Sequence, residues 1–310
     1  MELKWLSEFD IHQIHDLFSI CFKNNELSND FFKWKYFENP VGNAFVCGFF
    51  DNDKLIASGA LLPELFFFEK KSDVIYKCTD LMTDPNYRGQ GLAKKMVDAL
   101  TKKGLKESFL LYTICSKIAS KSFFGSGWRH QDEMIYFFRI PFLPSLANKH
   151  IGNIHFDNLN VVIDQLNLPY DEDYSMYLKN SLKWRTANTK FNYGIYEIKK
   201  DNISHFILFS IVRDIIQLVY FTDFSSRKIK NQLFRKLHDF GNLSKKKQIA
   251  LLPKRTFLFL LFIKKGYLTN LFSFGRMRST MDLNIIQSKD KTANIEFFVN
   301  QVTMLNYDDI

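Results

Sequence analysis

Cysteine is scarce in this chain. Its four residues, Cys21, Cys47, Cys78 and Cys115, lie far apart among 310, with no C-x-x-C pair and no histidine beside them at ligand spacing. That speaks against a disulfide framework and a zinc-type site, and leaves the four as reduced packing residues. His12 and His15 form the one close histidine pair and lack a third ligand, so no metal is expected. Long apolar runs are missing too. Ile203 to Phe221 is split by Arg213-Asp214, and Thr256 to Ile263 falls short of the roughly 20 residues a membrane helix needs. Glu2, Lys4, Glu8 and Asp10 interrupt any leader-like stretch at the N-terminus, so the expectation is a soluble cytoplasmic protein with no transmembrane segment. Neither a G-K-S/T phosphate loop nor a G-x-G-x-x-G turn after a first strand occurs.

What is present is apolar and aromatic mass. Hydrophobic residues make up 46% and aromatics 16%, with 33 phenylalanines, ample for two cores. The net charge of +9 is unevenly placed. Residues 1–140 hold 18 basic and 18 acidic side chains, whereas Arg227 to Lys265 holds 12 basic ones against Asp239 alone. That segment carries a positive field able to attract anions, or forms solvated helix faces.

The most informative stretch is Asp84 to Ala93, D-P-N-Y-R-G-Q-G-L-A, set between an alternating run and the helical K-K-M-V-D-A-L. It reads as a strand-to-helix turn for phosphate. Gly89 and Gly91 permit positive φ, small residues let a ligand approach the main chain, and unpaired amides at the helix start favour an anion. Here the chain resembles the GNAT (GCN5-related N-acetyltransferase) superfamily, whose acyl-CoA loop follows R/Q-x-x-G-x-G/A, matched by Arg88, Gly91 and Ala93. A second segment, Ser116 to Trp128, resembles the family's N-x-x-A-x-x-x-Y-x-x-x-G-F, with Ala119, Gly127 and Trp128 in place. Two departures stand out: Ser116 replaces the asparagine, and Phe123 replaces the tyrosine that protonates the leaving thiolate in many relatives.

The elements follow suit. Helices are expected at Ile11 to Phe22, capped by Asp10, and at Asp30 to Phe37, capped by Asn29 or Ser28. Strands are expected at Ala44 to Phe50, Leu55 to Leu62 and Val74 to Thr83, then a helix from Leu92 to Lys103 closed by Gly104. A strand Ser108 to Ile114, a helix Ser116 to Phe124 and a strand Ile135 to Ile140 finish the sheet, and Pro141 to Pro144 leads out. The second half echoes the first. Leu182-Lys183-Trp184-Arg185 answers Phe32-Lys33-Trp34-Lys35; runs Ile203 to Val212 and Ile215 to Phe221, a basic helix Ser226 to Phe240, a strand Gln248 to Leu252, and Thr256 to Lys264 ending in Gly266-Tyr267 follow. Its turn, Phe224 to Ile229, has no glycine. The fold expected is thus α/β with a mixed α+β sheet: two GNAT-like domains in tandem, residues 1–145 binding acyl-CoA and 146–310, degenerate, contributing an acceptor site.

The resemblance implies acyl transfer from acetyl-CoA or another acyl-CoA to a primary amine. It implies cofactor contacts at Leu81, Met82, Thr83, Arg88, Gly89, Gln90, Gly91, Leu92, Ala93, Ser116 and Phe123. An amine near pKa 10.4 is rarely neutral at pH 7, a cost of roughly 4.6 kcal/mol, so a carboxylate base is sought. Strand alternation puts Lys77, Thr79 and Leu81 on one face and Cys78, Asp80 and Met82 on the other. Asp80 and Glu64 are the candidates, with Asp308 and Asp309 behind them, and Asp80 is equally readable as a buried structural tie. The W-K-Y-x-x-N-P segment from Trp34 to Pro40 is similar to tandem chains of surface-polysaccharide pathways, which implies a small, anionic amino-sugar acceptor and no nucleic acid. Two alternatives stay open: a cell-wall aminoacyl transferase using charged tRNA, and a non-catalytic CoA-binding protein.

Overall fold

The computed structural model describes residues 1–22, 27–68, 71–139, 154–188, 191–213, 215–221, 227–253, 268–269 and 281–287. The chain divides into two compact units. The first is Met1–Asp132 with a strand returning at Met281, and the second lies between Glu133 and Thr280.

The first unit opens on a strand that the sequence pattern did not signal, β1 (Glu2–Leu6), followed by helices α1 (Ile11–Cys21) and α2 (Asn29–Phe37). Helix α1 buries Ile11, Ile14, Leu17 and Phe18, one stripe of a 3.6-residue repeat. Asp10 does not cap it. Its carboxylate turns back to accept from the Ser7 amide at 2.8 Å and the Ser7 hydroxyl at 2.9 Å. Ser28 does cap α2, accepting from the Phe31 amide.

Strands β2 (Phe45–Asp51), β3 (Lys54–Phe68) and β4 (Lys71–Thr83) extend β1 as an antiparallel meander. Helix α3 (Leu92–Glu107) then crosses so that β5 (Leu110–Ser116) lies parallel to β4. Leu92, Met96, Val97 and Leu100 of α3 pack on Cys47, Leu61, Tyr76, Cys78 and Leu111 of the sheet. Full burial of one such aliphatic side chain contributes about 1.5–3 kcal/mol. Gly104 does not end the helix. A Cβ there would meet Leu111 Cδ2 at 2.7 Å and Leu61 Cδ1 at 2.9 Å, so glycine lets α3 lie close on the sheet. Burial pushes the Cys47 thiol up to about 12 and the Cys78 thiol well above its ordinary value, which keeps both protonated and inert.

The second unit repeats this order: β7 (Ile154–His155), α5 (Leu159–Asp164), α6 (Glu172–Thr186), β8 (Asn192–Lys200), β9 (Ile203–Val212), β10 (Ile215–Phe221), α7 (Arg227–Leu243) and β11 (Lys247–Pro253). Again four strands form an antiparallel meander and the fifth lies parallel to the fourth after a crossover helix. Strand β9 has the two-sided burial this demands. Phe206 and Leu208 pack with Leu178 and Leu182 of α6, while Ile207 and Phe209 pack with Leu233 and Phe234 of α7.

The closing strands are exchanged. Strand β6 (Arg129–Arg139), expected to finish the first sheet, pairs antiparallel with β11, Met134 opposite Pro253 and Arg139 opposite Gln248, and also with β12 (Leu268–Thr269). The place beside β5 goes to β13 (Met281–Gln287), with Met281 opposite Ser116 and Gln287 opposite Leu110. Period-2 alternation tells which face of a strand is buried but not which strand it will meet, and this is why a contiguous domain was expected. The readings made of Pro141 to Pro144, Phe224 to Ser226, Thr256 to Lys264, Gly266-Tyr267, Asp308 and Asp309 lie outside the described residues.

Candidate active site

The first sheet opens at β4. Strands β4 and β5 pair only through Tyr76 opposite Leu111 and Lys77 opposite Tyr112, and beyond these the two parallel strands part. On its other edge β4 carries a bulge: Thr79 faces Ala60 and Met82 faces Ser58, so β4 has one residue more than β3. Asp80, inside the bulge, has φ 52°. The extra residue breaks the expected alternation. Leu81 joins Cys78 in the core under α3 instead of sharing the face of Lys77 and Thr79. The end of β4, Leu81 to Thr83, thus borders a gap in the sheet with main chain that has no strand partner on the β5 side.

The loop that follows is tied down at its entry. Asp84, fully buried, accepts from the Lys54 ammonium at 2.8 Å and the Asn86 amide at 2.9 Å, and its own amide donates to the Ile56 carbonyl. The Lys54 ammonium, then the Asn86 amide, holds the Asp84 carboxyl below the usual range. Tyr87 donates to Asp51 at 2.8 Å, and Arg88 Nε donates to the Thr83 carbonyl at 3.2 Å. Beyond these anchors Gly89 and Gly91 take φ 80° and 73°, and nothing lies within 4 Å of where a Cβ would sit on either. Conformation and the need for close approach, not crowding, call for glycine here. Gly91 stands as the N-cap of α3 with no side-chain cap. The amides of Leu92, Ala93 and Lys94 therefore face outward without helical acceptors, a ready anion site. Arg88, Gln90 and both glycines are exposed beside them.

Ser116 caps α4 (Lys117–Phe124), its hydroxyl accepting from the Ala119 amide at 3.3 Å. Phe123 is buried, its ring 4.9 Å from that of Trp128, whose indole N–H donates to Thr101 at 2.8 Å. The ring packs α4 down and offers no proton. A group invisible to motif reading enters from the returning strand: Asn284, fully buried, donates through Nδ2 to Ser120 Oγ at 2.9 Å and to Cys115 Sγ at 3.5 Å, tying β13 to α4.

The two carboxylate candidates are placed differently. Asp80 Oδ2 accepts from the Tyr36 hydroxyl at 2.7 Å and pairs with the Lys35 ammonium at 2.8 Å, with Lys35 2% and Asp80 10% exposed. Glu64 lies on β3 two positions past Leu62, which faces Lys77, and its Oε2 accepts from the buried Tyr112 hydroxyl at 2.5 Å. Tyr112 belongs to the last pair before the strands separate, so Glu64 sits at the root of the gap, half-buried. Among the described residues no cluster of His, Cys, Asp and Glu could hold a metal, and no helix is long and apolar enough to cross a membrane.

Comparison with known proteins agrees with this geometry. Residues 2–114 match the family described as acetyltransferase (GNAT) domain. The chain is similar in fold to a GCN5-related N-acetyltransferase from Anabaena variabilis, with TM-score 0.60 and 14% identity over 92% of this chain and 72% of that one. A probable N-acyltransferase from Enterococcus faecalis gives TM-score 0.58 at 14% identity over 92% and 72%. A tandem GNAT protein from the clavulanic acid biosynthesis pathway gives 0.61 at 9% identity, covering 92% of this chain and 98% of that one. No curated protein matches the sequence. The match to the acetyltransferase (GNAT) domain family lies within the first unit, and the repeated strand order is similar to the fold of a tandem GNAT protein.

Proposed function

We propose that the protein transfers an acyl group, acetyl in the simplest case, from acyl-CoA to the primary amine of a small molecule. The observation that carries this reading is the opening of β4 and β5 next to an uncapped, glycine-shaped helix start. One feature suits a pyrophosphate and the other suits an extended thioester arm. The amides from Gly89 to Lys94 would take the pyrophosphate, each charge-assisted bond contributing about 1.5–3 kcal/mol. A main-chain amide within Leu81 to Thr83 that points to the β5 side would polarise the thioester carbonyl in the gap. The amine nitrogen attacks that carbon, the C–S bond breaks, and the amine proton passes to a carboxylate. Glu64 is proposed for this task because it stands at the root of the gap, and Asp80 is given to the contacts with Tyr36 and Lys35. Phe123 gives the leaving thiolate no proton. A thiol pKa near roughly 8.5 lets it leave as the thiolate and be protonated by water.

The acceptor proposed is an amino sugar, on a nucleotide or lipid diphosphate. The support is the basic segment: α7 buries Ile229, Leu233, Phe234 and Leu237 and leaves Arg235 exposed, and a run of 12 basic residues against one acidic from Arg227 to Lys265 draws anions. The test is thiol release from acetyl-CoA against amino sugars, nucleotide amino sugars, polyamines and lysine peptides, beside salt-dependent tRNA binding. Release with an amino sugar supports the proposal. Turnover only with charged tRNA, or none with CoA saturating, overturns it in favour of aminoacyl transfer or plain CoA binding.

A further inference from the structure

We propose that Lys35 and Tyr36 of α2 are positioning residues for the thioester site: by gripping the Asp80 carboxylate they hold the β4 bulge and fix which way the amides after it point. The inference rests on the acyl-CoA reading and adds a mechanism to it.

A left-handed residue in mid-strand is unfavourable for any L side chain, though aspartate tolerates it better than most. At Asp80 the conformation is enforced from outside. The same carboxylate oxygen takes the Tyr36 hydroxyl at 2.7 Å and the Lys35 ammonium at 2.8 Å, both from one turn of α2. The ammonium also stands 5.9 Å from the centre of the Phe31 ring, on the helix's preceding turn. With Lys35 and Asp80 both nearly excluded from solvent, release of either leaves a buried charge without its partner, which holds the pair to one geometry.

The strand shows what the grip accomplishes. Every residue beyond the bulge is rotated to the opposite face relative to unbroken alternation, as Leu81 beside Cys78 demonstrates. Successive amides of a strand point to opposite edges, so the extra residue decides which of the Leu81, Met82 and Thr83 amides faces the gap. Loss of the grip lets β4 return to regular pairing with β3 and turns the amide that faces the gap away from it. The anion loop is anchored separately, through Asp84 to Lys54 and Tyr87 to Asp51, so it survives. Lys35 and Tyr36 thereby act on the carbonyl through Asp80, and Asp80 serves as a hinge pin.

The test uses the full chain, acetyl-CoA labelled with carbon-13 at the carbonyl, and isotope-edited infrared spectra of the bound thioester. The wild type is expected to lower the carbonyl stretch relative to water. In Lys35→Met and Asp80→Asn that lowering disappears and kcat falls by about tenfold or more, the scale expected for a misplaced donor, while the Kd for acetyl-CoA stays close to wild type. The double variant Lys35→Met/Asp80→Asn, which leaves no unpaired charge, recovers part of both. The pH midpoint of kcat stays where the wild type has it throughout. Loss of the pH-dependent limb in Asp80→Asn alone makes Asp80 the base and overturns the proposal, as does an unchanged carbonyl band in folded variants. Should Lys35→Met and Asp80→Asn fail to fold, Tyr36→Phe removes one hydroxyl and must still weaken the band shift; an unaltered band there also overturns it. A wild type that binds no acetyl-CoA overturns the acyl-CoA reading itself, whereas a wild type with a shifted band that the variants share overturns only the grip.

Discussion

The two units share a plan and differ at one turn. In both, a helical pair precedes a meander, the fourth strand has a register break, and a short parallel pair follows a crossover helix. Ahead of α3 stand Gly89 and Gly91 at positive φ, while the six residues from Phe224 to Ile229 contain no glycine. The sheet and its bulge are therefore a scaffold that both halves build, and the proposed anion site rests on two glycines that the sequence of the second turn lacks. Without those glycines the second unit is proposed to take no diphosphate and to serve the acceptor through its charge.

The sharpest way to break this comparison is to make the first turn like the second. Gly91→Val puts a β-branched residue where φ is 73°, at a strain of about 1–2 kcal/mol, and stiffens the main chain that must approach the pyrophosphate. With a lost amide bond or two added, acetyl-CoA affinity is expected to fall by about 100-fold in calorimetric titration, with little change in circular dichroism. Unchanged affinity would place the cofactor elsewhere.

The exchanged strands offer the next effect. A chain ending at residue 280 keeps every element of the expected first domain yet lacks β13, which leaves β5 an open edge and removes the Asn284 tie to α4. It is expected to lose cooperative unfolding in that unit and to gain exposed apolar surface, read by dye binding. Restoring Met281–Gln287 as a peptide should recover part of the signal, and an unaltered melt would show that the exchange is dispensable.

Phe123→Tyr tests whether motif or packing governs α4. The resemblance alone would make this substitution restore a thiol acid. Packed against Trp128 at 2% exposure, the new hydroxyl is expected to find no partner, cost about 1–3 kcal/mol in denaturant unfolding, and leave kcat no higher. A rise in kcat with preserved stability would contradict this.

The smallest effect concerns the loop's anchor. The Asp84 carboxyl is held below its ordinary value by Lys54 and the Asn86 amide, so its stabilisation is full above the unfolded value of about 3.9 and is lost as pH falls through the lower folded value. Asp84→Asn is therefore expected to lower the thermal midpoint at pH 7, and the gap from wild type should close progressively below about pH 4. A gap that persists at pH 2 would mean that the side chain's shape matters and its charge does not.

Much of the scaffold was legible in the residues. The helical stripe of α1, the Ser28 cap, the ends of β9 and β10, and the loop from Asp84 to Ala93 are local features, written in spacing and in glycine. What escaped is non-local. Nothing near Asp80 announces that Lys35 and Tyr36, some 45 positions earlier, will meet it, because a pairing across elements leaves no periodic trace. The bulge escaped for the same reason, and with it the face of Leu81. Gly104 looked like a helix end because glycine often is one, whereas contact with Leu61 and Leu111 explains it instead. The candidate site shows the same split: the glycine turn before α3 could be read directly, but Glu64 gains meaning only from Tyr112, and Asn284 only from a strand whose partner the sequence does not name.

The central claim is that one half of the chain binds acyl-CoA and the other half does not. Calorimetric titration of the full chain with acetyl-CoA tests it most directly, repeated with Gly91→Val. A single equivalent bound per chain, weakened by about 100-fold by the substitution, is expected. Two equivalents, or one that the substitution leaves intact, would contradict it.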